Sequence, residues 1–349
     1  MTTIQELTWQ TLTATINEIK PNATLLQQLI FGREVTLPTE TIELGFLTGG
    51  RQTAPFVRVN GEAIPVQGHG EKFALVKAPN IRIKTPLEPY EIMTRRRPGT
   101  VIFPTVAQQV SAMQQYIALR QQRMLDMIVN TKEYLCAQAI QGTITYSVED
   151  GEVFQITYPK SSSHTITVSP YWDENGTPQG DPETDFRTVK RLMSEDVGLT
   201  PTIALFGQEA SDAFMSNTVV RTLLDTRNYE AGRLTIESQY NDAGAIYLGR
   251  FAGIPCWEYS RQVEVDGVAT DMIRSNYVEF INTSPAAENV MYYGAIPDMK
   301  ALQGRQFIGR IFSKSWEEED PSVRQLLVHT RPLPVPRKPD SIVSLKVVA

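Results

Sequence analysis

The sequence predicts an α+β chain with more than one core, and three observations predict it. A single amphipathic helical pattern runs from Thr105 to Gln141. Alternating, strand-like runs punctuated by glycine and proline lie on both sides of it. From residue 182 to about residue 300, helical and strand patterns mix at close spacing. At 349 residues the chain can bury two or more cores.

Residues 1–48 read as an N-terminal arm and a lead-in strand. Leu7, Leu12 and Ile16 form the weak apolar face of a short helix that Pro21 ends. Leu25, Leu26, Leu29, Ile30 and Phe31 cluster before Gly32. Val35, Leu37, Ile42, Leu44 and Phe46 then alternate loosely as one strand interrupted at Pro38.

Residues 49–92 are the most unusual stretch. Phe56, Val57 and Val59 lead into Asn60 and Gly61, the strongest short hairpin signal. Strand-like pieces follow at 64–66, 73–76 and 81–83, separated by Gly68, Gly70, Pro65 and Pro79. Large apolar side chains are few, and a two-stranded ribbon is at best marginally stable alone in water. The stretch therefore reads as an extended β-ribbon loop that becomes ordered on a neighbouring subunit; a long flexible loop is the other reading. Gly49, Gly50, Pro86 and Pro89 at its base are hinge candidates.

The long helix follows Arg95, Arg96 and Arg97. Val106, Val110, Met113, Ile117, Met124, Ile128, Leu135 and Ala139 are spaced as one helical face. Gln108, Gln115, Arg120, Gln122, Lys132 and Glu133 mark the opposite one. Pro104 and Thr105 start the helix and Gly142 stops it. At roughly 55 Å it is longer than most globular helices, and it reads as a spine with one side on a sheet and the other partly wet.

Beyond the spine, Ile144, Tyr146 and Val148 pair with Phe154, Ile156 and Tyr158 as a hairpin turning at Asp150 and Gly151, before a third strand at Ile166 and Val168. After a polar loop at 171–181, Asp181 and Pro182 open a helix that Gly198 ends. Thr202–Phe206 is a buried strand, and Glu209–Asn217 and Val219–Leu224 are helical. Strands follow at Ala245–Leu248, Ile254–Tyr259 and Tyr277–Ile281, with a hairpin at 263–273 turning at Asp266 and Gly267. The tail returns to strand at Gln306–Phe312, Arg324–His329 and Ile342–Val348, with Pro332, Pro334, Pro336 and Pro339 as a bridge.

Composition excludes several functions. The net charge is −6, which disfavours a DNA-binding protein but suits an inner wall that repels enclosed nucleic acid. No apolar run approaches the roughly 18 to 20 residues of a membrane span. Met1 to Glu6 is polar, without a basic region followed by an apolar one, so a cytoplasm-like compartment is expected. The two cysteines, Cys136 and Cys256, lie among apolar residues and read as buried thiols rather than a disulfide. His69, His164 and His329 are far apart, without a second ligand at metal spacing, and read as surface or strand residues. There is no phosphate-binding glycine loop and no Gly-x-Ser-x-Gly elbow. The run Glu317, Glu318, Glu319 and Asp320 reads as a solvated turn rather than an acid/base pair. Neither a catalytic, a cofactor-binding nor a metal-binding residue is assigned, and no cofactor or enzymatic activity is expected. Arg95, Arg96 and Arg97 read as a solvated or intersubunit cluster, and Trp316 beside Lys314 as a packing residue.

In this order, arm, ribbon, spine, mixed lobe and returning strand resemble the major capsid protein of tailed bacteriophages. The residues narrow the resemblance to the phage lambda-type family, major capsid protein E. They are Ala54, Pro55, Phe56 and Val57 opening the ribbon, the arginine-rich entry to a long helix ending near Gly142, and Tyr293, Gly294, Ile296 and Asp298. Lys314 and Trp316, Asp320 with Pro321, Pro332 with Leu333, and Pro339 with Asp340 before a valine-rich strand complete the set. The resemblance covers nearly the whole chain; the polar loop at 171–181 departs from it.

The resemblance implies a Hong Kong 97-type capsid fold: N-terminal arm, extended β-ribbon loop, peripheral domain with a long spine helix, and mixed α/β axial domain. On that reading 1–48 is the arm and lead-in strand and 49–92 the extended loop. Residues 93–181 are the peripheral domain with its spine at 105–141 and a β-hairpin, 182–300 the axial domain, and 301–349 the return strands of the peripheral domain. It implies self-assembly into hexamers and pentamers that build an icosahedral shell, in the virion, around double-stranded DNA bound without sequence specificity and with no membrane. Assembly would take place in the host cytoplasm, with a scaffold and portal, and a head decoration protein in many relatives. Phe56, Val57, Arg95, Arg96, Arg97 and Trp316 are the candidate intersubunit contacts. Two other readings compete: an encapsulin-like compartment holding enzyme cargo, and a hydrolase with dispersed carboxylates, which should run as a small oligomer.

Overall fold

The computed structural model describes residues 9–18, 24–48, 70–88, 106–147, 152–173, 179–227, 244–265, 267–303, 308–320 and 323–349. Its helices are α1 (Trp9–Glu18), α2 (Leu25–Leu29), α3 (Val106–Gln141), α4 (Pro182–Asp196), α5 (Gln208–Ser216), α6 (Thr218–Arg227) and α7 (Met299–Gln303). Its strands are β1 (Arg33–Thr36), β2 (Thr41–Thr48), β3 (Gly70–Lys77), β4 (Ile81–Leu87), β5 (Thr143–Ser147), β6 (Val153–Thr157), β7 (Thr165–Thr167), β8 (Ile203–Phe206) and β9 (Ala245–Phe251). They continue with β10 (Ile254–Tyr259), β11 (Gln262–Val265), β12 (Val268–Asp271), β13 (Tyr277–Ile281), β14 (Asn289–Tyr293), β15 (Phe312–Glu318), β16 (Val323–Thr330), β17 (Pro332–Pro336) and β18 (Ile342–Lys346).

The largest sheet has six strands in the order β7-β18-β13-β8-β10-β9. Because side chains alternate along a strand, Ala204, Phe206, Val278, Phe280, Val343 and Leu345 share one face, and they are buried against α4 and α5. Phe186 of α4 is the centre of this core, with ring contacts to Trp172, Phe206, Phe214, Phe251 and Phe280. Asp181 caps α4, accepting from the Glu183 N–H at 3.0 Å, and Pro182 takes the first helical position. Strands β18 and β7, expected with the peripheral part, add to this sheet: Phe280 faces Val343 and Ser344 faces Thr165. Short apolar runs do not reveal which sheet they join.

Helix α3 is continuous over 36 residues and ends where Gly142 adopts φ +95°. It spans two cores. Ile117, Met124, Leu125, Ile128 and Val129 pack with Leu326 and Val328 of β16 and with Leu12 and Ile16 of α1. Leu135, Cys136, Ala139 and Ile140 pack with α2, β2 and the β5–β6 hairpin. Lys132 and Glu133, expected on the wet face, are buried. At this point protein covers most of the helix, leaving Thr131, Tyr134 and Gln138 only partly exposed, which a single-face pattern does not anticipate.

Strands β15, β16 and β4 form an antiparallel sheet beneath the spine. The strand expected at Gln306–Phe312 begins at Phe312 and runs on to Glu318, so part of the acidic run is strand, with Glu317 3.5 Å from Arg324. Helix α1 docks on this sheet's outer strand. Thr13 Oγ1 donates to the Ser313 carbonyl at 2.9 Å and lies 3.0 Å from the Ser313 N–H, which donates to it. The arm helix thus finds its partner within its own chain.

The strand expected over Val35–Phe46 is two strands in different sheets. Strand β1 runs parallel to β14, and β2 pairs with β3 over eight residues, from Thr41 with Lys77 to Thr48 with Gly70. Pro38 and its neighbours form the bend between them. The proline bridge is itself a strand: β17 pairs with β14 at the edge of the sheet β1-β14-β17. Gly294 N–H donates to the Arg331 carbonyl and Arg337 N–H to the Glu288 carbonyl, at 3.0 and 3.4 Å. That phase points Leu333 and Val335 N–H at β14 and turns Pro332, Pro334 and Pro336 the other way, where no donor is needed.

His164 is not a surface residue: it is fully buried in a short 3₁₀ turn, with Nε2 2.8 Å from Asp196 Oδ2. His329 is the buried strand histidine, on β16, beside Asn80. No described helix is long and apolar enough to cross a membrane.

Candidate assembly site

Among the described residues, the β2–β3 ribbon leaves one face and both backbone edges uncovered by its own chain. Alternation buries Ile42, Leu44 and Phe46 on one face, where Phe46 meets Tyr158 edge-on at 6.0 Å between centroids. On the other face Leu75 is 72% exposed, paired with the exposed Glu43. Among the described residues, each of these strands has one sheet neighbour, so each keeps an unpaired backbone edge.

The elements beneath the ribbon are fixed by buried polar groups on the spine. Glu133 accepts from the Leu26 and Gln27 N–H groups at 2.8 and 3.1 Å, and from Tyr259 Oη at 2.8 Å. It therefore supplies the acceptor that the short α2 lacks at its own N-terminus. Lys132 donates to Tyr293 Oη at 3.0 Å, and Tyr293 donates to Glu34 at 2.9 Å. Burial lowers the Lys132 pKa, with Glu34 opposing, and pushes the Tyr259 and Tyr293 hydroxyls well above their ordinary range. One turn of spine thereby holds α2, β1, β10 and β14.

Of the contact and hinge candidates, Phe56, Val57, Arg95, Arg96, Arg97, Gly49, Gly50 and Pro89 lie outside the described residues, as do Asn60, Gly61 and His69. Trp316 lies on β15, half-buried, with the Lys314 ammonium 5.7 Å from its ring centroid. Lys314 also pairs with Asp298. Burial pushes the Asp298 carboxyl up, but the bonds from Lys314 and the Lys300 N–H outweigh it and hold the pKa below the usual range. Pro86 is exposed inside β4, opposite Gln325. Sequence reasoning missed Glu133, Lys132 and Arg331: the one-face pattern of the spine puts the first two in water, and Arg331 lies between two strands with no local mark.

No group of three or more His, Cys, Asp or Glu able to hold a metal occurs among the described residues. Both cysteines are free and buried. Burial pushes the Cys256 thiol up to about 12 and raises Cys136 as well, so neither is a ready nucleophile. What the arrangement offers is surface.

The family model of the phage major capsid protein E matches residues 8–347. Among solved structures, the protein assigned as the capsid protein of an Escherichia coli CFT073 prophage is similar at 19% identity and a TM-score of 0.74, over 98% of this chain and 99% of that one. The capsid of cyanophage A-1(L) is similar at 14% identity and a TM-score of 0.51, over 95% and 94%. A phage-related protein of Bordetella bronchiseptica RB50 is similar at 12% identity and a TM-score of 0.50, over 97% and 96%. No curated protein matches.

Proposed function

This chain belongs to the phage major capsid protein E family and is a capsid shell protein of the Hong Kong 97-type fold, and from that we propose that its ribbon, laid on a neighbouring copy, closes the shell. The supporting observation is that, among the described residues, β2 and β3 cover one face within their own chain and leave the other face and two backbone edges open.

The finer reading keeps 49–92 as the extended loop, which carries β3, and 1–48 as the arm with β2 as its lead-in strand. The six-stranded sheet with α4, α5 and α6 is the axial part, built mainly from 182–300 and completed by β7 and β18. The spine with β15 and β16 is the peripheral part, within 93–181 and 301–349, and β4, from the end of 49–92, joins its sheet. Axial parts meet in hexamers and pentamers to make an icosahedral head around double-stranded DNA, which a net charge of −6 keeps from adhering. Phe56, Val57, Arg95, Arg96, Arg97 and Trp316 serve as contacts, and Gly49, Gly50, Pro86 and Pro89 as hinges. The role is structural, not catalytic. A scaffold, a portal and a decoration protein are the further partners, and assembly in the host cytoplasm yields the virion.

Electron microscopy with sedimentation tests this. The wild-type chain, with its neighbouring gene products, should give closed shells or rings of capsomers, and Phe56→Asp folded subunits without shells. Normal particles from that variant remove the ribbon's role. A compact monomer of the wild type under every condition counts against assembly by this route.

A further inference from the structure

We infer that Arg331 is the positioning residue of assembly: its guanidinium fixes the angle at which the ribbon leaves the subunit. The inference rests on the ribbon being the assembly element. It starts from where the ribbon's two legs attach. The first leg, residues 37–40, enters β2, and the second, residues 78–80, leaves β3 for β4. Both cross the same place, beside Gly294 and Ala295. Leu37 N–H donates to the Tyr293 carbonyl at 2.8 Å and Ala295 N–H to the Thr39 carbonyl at 3.0 Å.

Arg331 lies between β16 and β17, with its side chain 4% exposed. One terminal nitrogen, Nη1, donates to the Ala295 carbonyl at 3.1 Å. The other, Nη2, donates to the Ala78 carbonyl at 3.2 Å and to Glu40 Oε1 at 3.3 Å. The fork thus joins the first leg, the second leg and the body. Its own carbonyl accepts from Gly294 N–H at 3.0 Å, so the backbone that carries it is fixed too. His329, two residues earlier, adds a bond to Asn80 on the second leg. A Cβ on Gly294 would lie 3.3 Å from Ala78 Cβ, so the leg sits in close approach with little slack.

Packing alone would not select this residue. Its nearest carboxylate, Glu40, is 56% exposed, and Arg331 Nε has no partner. A buried cation compensated mainly by carbonyl dipoles is often matched or bettered in stability by an apolar side chain of similar volume, so what Arg331 adds here is direction. The planar fork holds its donors at fixed angles; a lysine ammonium is a point charge on a flexible stem and would hold neither carbonyl in a defined direction.

The test reads the angle directly on unassembled subunits. Cysteines introduced at two exposed positions, Leu75→Cys on the ribbon and Ser194→Cys on α4, carry spin labels; the native cysteines are buried. The wild type should give one narrow distance distribution. Arg331→Met should broaden it, speed exchange of the β3 amides that bond to β2 by at least about tenfold, and turn closed shells into irregular assemblies, with a cooperative melt retained. Arg331→Lys should not rescue. If Arg331→Met does not fold, Glu40→Gln and Gly294→Ala carry the same readout, each shifting or broadening the distance. An unchanged distribution and unchanged exchange in the folded variants, or full rescue by lysine, overturns the inference. The distance measurement needs no shell, so a wild type that never assembles would fail the ribbon's proposed role without obscuring this result.

Discussion

The core around Phe186 and the root around Arg331 hold the chain in opposite ways. The first is an aromatic cluster between a six-stranded sheet and three helices, with few directional demands. The second is a crossing of thin segments held by single hydrogen bonds to carbonyls. Apolar burial tolerates repacking, because its free energy follows area rather than angle. Hydrogen bonds at a crossing specify direction and stabilise little. The comparison teaches that this subunit separates staying folded from presenting its ribbon.

The largest effect expected is on the core. Phe186→Ala should destabilise the subunit by about 3–5 kcal/mol, read as a lower midpoint in urea unfolding. A loss below about 1 kcal/mol would mean that the cluster is not what holds the sheet.

Next comes acid. Burial, with the cations Arg82 and Arg331, holds His329 down to about 4, with Asp298 opposing and Lys314 adding to the effect. The unfolded imidazole takes its proton near 6.5, while the folded one resists until about 4. Stability is therefore complete above the unfolded value and falls as pH drops through this window, by up to ~3 kcal/mol. Unfolding measured across that range should be less pH-dependent in His329→Gln; parallel curves would remove the histidine from the root.

Glu133→Gln ranks third. Its amide group would set a donor against a donor at either Leu26 or Gln27, costing about 2 kcal/mol. Hydrogen exchange should show α2 losing protection first, while the Phe186 core keeps its own.

The smallest effect on the subunit sharpens the comparison most. Leu75→Asp should change subunit stability by less than about 0.5 kcal/mol and still reduce shell yield in sedimentation. Full yield would place the contact elsewhere on the ribbon.

The spine, α4 and the strands of the six-stranded sheet were legible because their periods are regular and the two helices end on specific caps, Gly142 after the spine and Asp181 before α4. Partner choice was not legible. Nothing local in Ile342–Lys346 says that it pairs with β13 rather than with β16, because both are apolar runs of similar length. Strand β14 and helix α7 escaped for being short. Lys132 and Glu133 were placed in water because a one-face pattern assumes one partner, and this helix has protein around it there. Arg331 carried no sequence mark of its own: its role comes from three carbonyl and carboxylate groups that the fold brings together from residues 40, 78 and 295.

The proline alternation in β17 has a consequence for a protein that must multiply its own contacts. Every second nitrogen along that edge has lost its hydrogen, and the Pro334 carbonyl is already taken by the Tyr158 hydroxyl. Such a strand is an insulated border. It can lie under a helix without stranding a donor, and it offers an arriving strand no N–H to zip onto. Where identical chains crowd together, sheet-to-sheet propagation into fibres is the rival of an ordered shell. Insulating one border leaves encounters to be decided where the backbone still has bonds to give.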